Sequence, residues 1–318
     1  MSFLLFIVIH KMNKPVYELY DWININKLDK TILNRNTNAI EYLKLNKNDI
    51  DWNALNYNLN PNVIHLLRDN KDKIDWYCLS QNPHNEAIEL LINNKDKIDW
   101  SSFSANSNPK AVKLLKENYW KINWLFLSMN TNEEALELLE KHPSNIDWFY
   151  LSYNKSKKAI EILRKNFDRI IWTQLACNPS AFDLLMENPD YIIWVLFSSN
   201  ENPRALSVFR ANLDKINWII LSKNPIAIEI LEENKDKIDW YNLSINPEGI
   251  DLLSKNQSYI YWSMLSNNSG IFRYNYEKMR DNFEELGNEI VEKALHPRRI
   301  CRLIEEYGDE EIYDCYFE

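Results

Sequence analysis

Apolar and polar positions in this chain fall into a unit that recurs every 22 or 24 residues. Residues Asn178 to Asn188 show it plainly. Asn178 is a good helix N-cap, and Pro179 suits the first helical position, where a missing N–H costs nothing. Ala181, Phe182, Leu184 and Leu185 then supply an apolar face, and Asn188 ends the element, as a residue that tolerates the left-handed conformation past a helix end. The same Asn-Pro opening recurs at Asn60-Pro61, Asn108-Pro109, Asn202-Pro203, Asn224-Pro225 and Asn246-Pro247. This predicts a helix of two to three turns, helix A.

A shorter apolar pattern follows it. In Ile74-Asp75-Trp76-Tyr77-Cys78-Leu79 the aspartate can cap a second helix while Ile74 and Leu79 close over its start. Ile or Leu stands two positions before the tryptophan and Leu or Phe three positions after it in every unit. Tryptophan and the +3 residue share a face, so both are expected to enter the core. Helix B is thus one or two turns long, α or 3-10.

Numbering each unit from its tryptophan exposes the regularity. Trp52, Trp76, Trp100, Trp124, Trp148, Trp172, Trp194, Trp218, Trp240 and Trp262 mark ten units, and Lys30 holds the place in one further unit upstream. An asparagine stands at +6 in all of them, from Asn36 and Asn58 to Asn246 and Asn268. Periodicity of this length signals a solenoid, in which each unit buries its apolar face against its neighbours. The predicted fold is all-α: an α-solenoid of 22/24-residue two-helix repeats with helical terminal caps, elongated or curved. The two-residue difference lies between the +6 asparagine and helix A, in a turn, where insertions are tolerated. In short units the +6 asparagine can cap helix A. In long units it cannot, so its amide is expected to bond backbone groups of a turn or of the adjoining unit.

The array runs over 30–269, with an N-terminal extension and cap at 1–29. A C-terminal helical cap with an acidic tail is expected over 270–318, because a solenoid must cover its ends. Phe3 to Ile9 is an apolar run too short to span a bilayer. It lacks the flanks of a signal peptide, and reads as a cap or as a dispensable extension before Met12.

Composition narrows the function. Hydrophobic residues make up 45% of the chain, ample for a core, and the net charge is −9. That sign disfavours nucleic acid and anionic membranes as partners. Cys78, Cys177, Cys301 and Cys315 show no CxxC spacing and read as free thiols in a reducing compartment; neither a metal nor a cofactor is expected. Glycine is absent before Gly249, which removes phosphate loops and nucleophile elbows from most of the chain.

The Asn-Pro turn, Leu-Leu helix and short second helix resemble the leucine-rich variant repeat, which implies a right-handed superhelix of alternating α- and 3-10 helices. The cysteines of that family's iron–sulfur cluster have no counterpart here. The runs Asn-Lys-Asp-Lys-Ile-Asp-Trp at 70–76, 94–100 and 234–240, Leu-Ser-x-Asn-Pro, and the end IFRYNY…KALHPRRICRLIEEYG are similar to a family of Trp/Asn-Pro repeat proteins of giant, mimivirus-like DNA viruses. That resemblance implies a source and a fold, and no particular activity. It places the chain in host-cell cytoplasm or in a virion.

Candidate chemistry is thin. The aspartates at −1 (Asp51, Asp75, Asp99, Asp147, Asp239) need no role beyond capping, and the Lys-Asp-Lys runs read as solvated turns. His296, Arg298 and Arg299 form one local polar cluster, a helix break or an anion or partner contact. No catalytic constellation emerges, so the chain is not expected to be an enzyme. Positions +1, +2 and +5 point away from the tryptophan face and become apolar in mid-array: Leu125, Phe126 and Met129; Phe149, Tyr150 and Tyr153; Val195 and Leu196; Ile219 and Ile220. Side by side, they would form an interaction strip, unless helix B is buried and they simply pack. The reading is a monomeric protein-interaction scaffold binding a host or viral protein. The rival reading is a structural component of the virion.

Overall fold

The computed structural model describes residues 17–277, 279–281 and 300. Residues Tyr20–Phe272 form one compact unit, and the chain before and after them belongs to a second. Among the described residues the larger unit is a succession of short helices.

Most 24-residue repeats have three elements, and three of the 22-residue ones open helix A with a further 3-10 turn, Pro179–Ala181, Pro225–Ala227 and Pro247–Gly249. Helix B starts at the tryptophan, as in Trp76–Gln81 and Trp148–Tyr153. Helix A follows, as in Pro61–Asp69 and Pro109–Glu117. A single 3-10 turn then leads to the next tryptophan; the Lys-Asp-Lys runs form it at Lys71–Lys73, Lys95–Lys97 and Lys235–Lys237. Caps fall where the residue types put them. Asp51, Asp75, Asp99, Asp147 and Asp239 all accept backbone N–H groups of helix B. Asn60 and Asn108 do the same for helix A.

Two local expectations need correcting. The asparagine that ends helix A is not left-handed: Asn188 has φ −132° and ψ 62°, and Asn70 has the same angles. It stops the helix by turning its own amide back, Nδ2 of Asn188 donating to the Leu184 carbonyl at 2.8 Å. That bond occupies a carbonyl the helix would leave open. Tryptophan, likewise, is not a core residue. All ten array tryptophans are half-buried, whereas the +3 residues, from Leu33 to Leu265, are buried in every unit. Three residues advance a helix by about 300°, which leaves position 0 at the rim of the face that +3 centres.

The core lies between the two helices of each unit and its neighbours. Alongside the +3 leucines it takes the helix A pairs, such as Ile88 with Leu91 and Val112 with Leu115. Small residues let the layers approach: Ala87, Ala111, Ala135 and Ala159 are fully buried at one equivalent position of helix A.

The +6 asparagines form a ladder through ten of the eleven units; at Asn82 the Oδ1 bond from His84 N–H is kept without the two Nδ2 bonds. Asn130 Nδ2 donates to the carbonyls of Ser104 and Asn106 in the preceding unit, at 2.9 and 2.8 Å, and its Oδ1 accepts from Asn132 N–H. Short units keep the pattern, with Asn178 bonded to Ser152 and Asn154 carbonyls and to Ser180 N–H. Three bonds are made in both unit lengths, which is why the residue does not vary.

A second ladder runs beside it through position +4. Ser104 Oγ accepts from Asn123 N–H at 3.0 Å and Ser128 Oγ from Asp147 N–H at 3.0 Å, each tying helix B to the start of the next one. The hydroxyl also donates to the tryptophan carbonyl of its own helix, as Ser128 does to Trp124 at 2.9 Å.

Both ladders close. Asn36, in the first unit, donates to the carbonyls of Ser266 and Asn268 in the last, at 3.2 and 2.8 Å. Asp29 N–H donates to Ser266 Oγ at 2.7 Å, and Tyr20 N–H to the Ile271 carbonyl at 3.2 Å. The Asn36 and Asp29 bonds are those that successive units make elsewhere in the array, as Asn130 and Asp147 do; the Tyr20 bond adjoins the pairing of Tyr17–Leu19 with Phe272–Tyr274. The array is a closed ring of eleven units, so its two ends satisfy each other, where the sequence pattern pointed to atypical covering segments.

In the second unit Tyr17–Leu19 (β1) pairs with Phe272–Tyr274 (β2). Arg273 Nε and Asn275 Nδ2 both donate to the Glu18 carboxylate. The helical part expected at the C-terminus and the apolar run Phe3 to Ile9 lie outside the described residues, apart from a few positions.

Candidate functional site: the inner face of helix B

A ring has an inside, and helix B faces it. One cavity of about 350 Å³ is lined by Tyr153, Lys155, Cys177, Ser199, Glu201, Ile219, Ile220, Lys223, Asn224 and Asn242, which belong to five successive units. Five helices stacked straight at the usual 8–10 Å spacing would spread over roughly 35 Å, far wider than such a cavity. The surface that carries positions +1, +2 and +5 is therefore concave.

The structure brings most of the sequence-derived strip to this surface. Leu125, Met129, Phe149, Tyr153, Val195 and Ile219 are exposed, Ile219 most of all at 57%. Phe126, Tyr150, Leu196 and Ile220 are half-buried, as +2 residues partly wedged between neighbouring helices. Phe149 and Tyr150 meet edge to face, with centroids 5.4 Å apart. Tyr153 and Ile220 line the cavity itself. His296, Arg298 and Arg299 lie outside the described residues.

Sequence reading missed the polar members of the site. Lys223, Cys177 and Ser199 occupy the same +5 position as Met129 and Tyr153, and Lys155 and Glu201 stand two residues further on. The spacing was available, but a search for apolar runs passes over them.

Charge is distributed unevenly between the two helices. Positions +1, +2 and +5 of eleven units make thirty-three residues, and none is Asp or Glu. Their only cations are Arg35, which lies over the Tyr57 ring, and Lys223. Helix A carries the ion pairs instead. Arg164 reaches Glu187, Arg210 reaches Glu229 and Glu233, Lys158 and Lys165 share Glu140, and Arg204 reaches Asp183. Hydrogen bonds from Lys158 and Lys165 hold the Glu140 carboxyl below the usual range, and Arg164 does the same for Glu187.

Among the described residues no group of three or more His, Cys, Asp or Glu side chains could hold a metal ion. No helix among them is long and apolar enough to cross a membrane. Comparison with protein-family models, with curated proteins and with solved structures finds no match to this chain.

Proposed function

We propose that this chain is a non-enzymatic interaction scaffold whose inner helix B face holds a segment of another protein. The observation that carries the reading is the absence of any carboxylate from thirty-three inner positions of a chain whose net charge is −9. Protein interfaces have that composition at their centres, depleted in charge and enriched in Tyr, Phe and Met. Exposed Leu125, Met129, Phe149, Tyr153, Val195 and Ile219 add an apolar patch of the kind that marks binding surfaces. Closure adds rigidity: a surface ordered in advance loses less entropy on binding. The resemblance to giant-virus repeat proteins makes a viral or host protein the partner, in the infected cell or in the particle.

Site-specific photocrosslinking tests the reading. A benzoyl-phenylalanine placed at Ile219, on the inner face, should join the chain to one defined protein in infected cells. The same group at Glu161, on helix A, should not. Equal crosslinking from both positions would refute the inner face as the binding surface. Stoichiometric abundance in purified particles, with no crosslinked partner, would favour the architectural reading.

A further inference from the structure

We infer that the partner presents an acidic segment to this face, a short stretch of chain with a carboxylate beside an apolar side chain, and that it seats between Lys155 and Lys223. The inference rests on the reading above and names the chemistry of what binds. Lys155 and Lys223 line the cavity together with Ile219, Ile220 and Tyr153. Both lysines are exposed, and neither forms an ion pair with a described residue. Glu201 is the one carboxylate of the lining, which leaves one positive charge in excess.

Glu201 can offset one of these two ammonium groups, and positions +1, +2 and +5 around them carry no carboxylate, so one cation is left for a ligand. A carboxylate in the cavity would meet two cations, with the second amide N–H of Asn242, whose first is held by Asp239, as a further donor. Ile219, Ile220 and Tyr153 call for an apolar neighbour to that carboxylate. A volume of about 350 Å³ stands at the low end of ligand pockets, which run from ~300 to 1,000 Å³. It accommodates one or two side chains and not a folded surface. A polyanion fits less well, because the chain as a whole is acidic and repels a long run of phosphates.

The test uses the full chain and three fluorescein-labelled twelve-residue peptides, of Glu-Leu-Ser, Gln-Leu-Ser and Lys-Leu-Ser repeats, followed by anisotropy. The Glu peptide should bind at least tenfold more tightly than the Gln peptide. The double variant Lys155→Gln with Lys223→Gln should erase that difference, and Lys155→Glu with Lys223→Glu should turn the preference to the Lys peptide. Far-UV circular dichroism establishes that the variants fold. Bound Glu peptide should also slow alkylation of Cys177, which is half-exposed in the cavity, as located by mass spectrometry. Equal affinity for Glu and Gln peptides, an unchanged preference in the Gln variant, or unprotected Cys177 would overturn the proposal. If Glu and Gln peptides bind equally and Phe149→Ser with Ile219→Ser abolishes both, the acidic segment is wrong and the inner face stands. If none of the peptides binds, the acidic segment is again wrong, and the crosslinking experiment decides the face independently.

Discussion

Lys30 Nζ lies 2.7 Å from Asp49 Oδ1, and these two residues stand where other units place a tryptophan and the residue that covers it. In six units the residue three positions before the next repeat's start lies over the preceding tryptophan. Lys121 covers Trp100, Lys215 covers Trp194, Lys237 covers Trp218, and across the ring closure Lys27 covers Trp262, at 4.2–4.9 Å from the ring centroids. Tyr191 and Tyr259 do it by stacking on Trp172 and Trp240. Where Lys30 replaces the tryptophan, an aspartate replaces the cover, so a cation–π contact becomes an ion pair with the cation on the opposite side.

The exchange predicts a compensated pair. Lys30→Trp alone sets the Asp49 carboxylate against the negative face of an indole, and Asp49→Lys alone sets two ammonium groups together. Both single variants should melt below the parent, and the double variant should recover most of the loss. A thermal double-mutant cycle reads this directly. Additive single effects would show that the two positions do not communicate.

Tyr42 ties the same pair to pH. Its hydroxyl donates to Asp49 Oδ2 at 2.9 Å, and burial followed by that carboxylate pushes its pKa up to about 12. A phenol raised on folding contributes stability that is fully present below its ordinary pKa of 10 and lost as pH rises through about 12. Asp49 works in the other direction. Lys30 first, then Tyr42, holds its carboxyl below the ordinary value, so its contribution is present above that value and fades as pH falls through the lowered one. Alkaline titration followed by tyrosinate absorbance should show late-ionising phenols, Tyr17 among them, and Tyr42→Phe should remove one of these. An unchanged titration curve would place the late phenols elsewhere.

Closure makes the first unit as costly to disturb as a middle one. Asn130→Ala would leave two buried carbonyls and one N–H without a partner, at about 1–3 kcal/mol for each unsatisfied group. Asn36→Ala breaks the equivalent bonds, to Ser266, Asn268 and Asn38. In an open array the end unit frays and its loss is mild; in a closed one the two substitutions cost alike, about 3 kcal/mol or more. Urea unfolding of both variants decides between them.

Asn34 and Asn56 make the +4 rung with Oδ1 where other units use serine, and one rung is absent. Ala176 is buried at position +4, where Ser152 and Ser198 stand in the units on either side. Ser152 accepts from Ile171 N–H at 3.0 Å; the corresponding N–H, on Ile193, faces a methyl group that cannot accept. Ala176→Ser adds one atom at a place the neighbouring units already accommodate. It should raise stability by about 0.5–1.5 kcal/mol, the net value of one hydrogen bond. A decrease would mean that the layer is packed too tightly there for the hydroxyl.

Helices, caps and repeat boundaries were legible because each depends on residues close in sequence: Asp75 two residues before Tyr77, Pro109 after Asn108. The need for partners around the +6 amide was legible too, since a recurring buried asparagine must bond to something. Closure was not. It depends on the small angle by which each unit turns relative to the last, summed over eleven steps, and no single residue carries that sum. Lys27 over Trp262 is a contact between residues 235 positions apart, with nothing local to announce it. The serine ladder was missed for a simpler reason: a small hydroxyl beside a large buried leucine or phenylalanine looks like helix surface.

The separation between core and face can be tested within a single helix. Leu151 is fully buried and Phe149, two residues before it, is 49% exposed. Leu151→Ala should cost about 2–5 kcal/mol, the usual range for emptying a buried leucine site. Phe149→Ser and Ile219→Ser should stay within about 0.5 kcal/mol of the parent, as surface changes do. Tyr150, Phe126 and Leu196, half-buried at +2, should fall between, and so should the half-buried Trp148. Denaturant unfolding of the series orders them, and partner capture by the crosslinking chain gives the functional axis. The inner-face reading expects opposite rankings on the two scales: Phe149 and Ile219 silent in stability and essential for capture, Leu151 the reverse. If Phe149→Ser destabilises as much as Leu151→Ala, the phenyl ring belongs to the packing of helix B, and the partner must be held elsewhere on the ring.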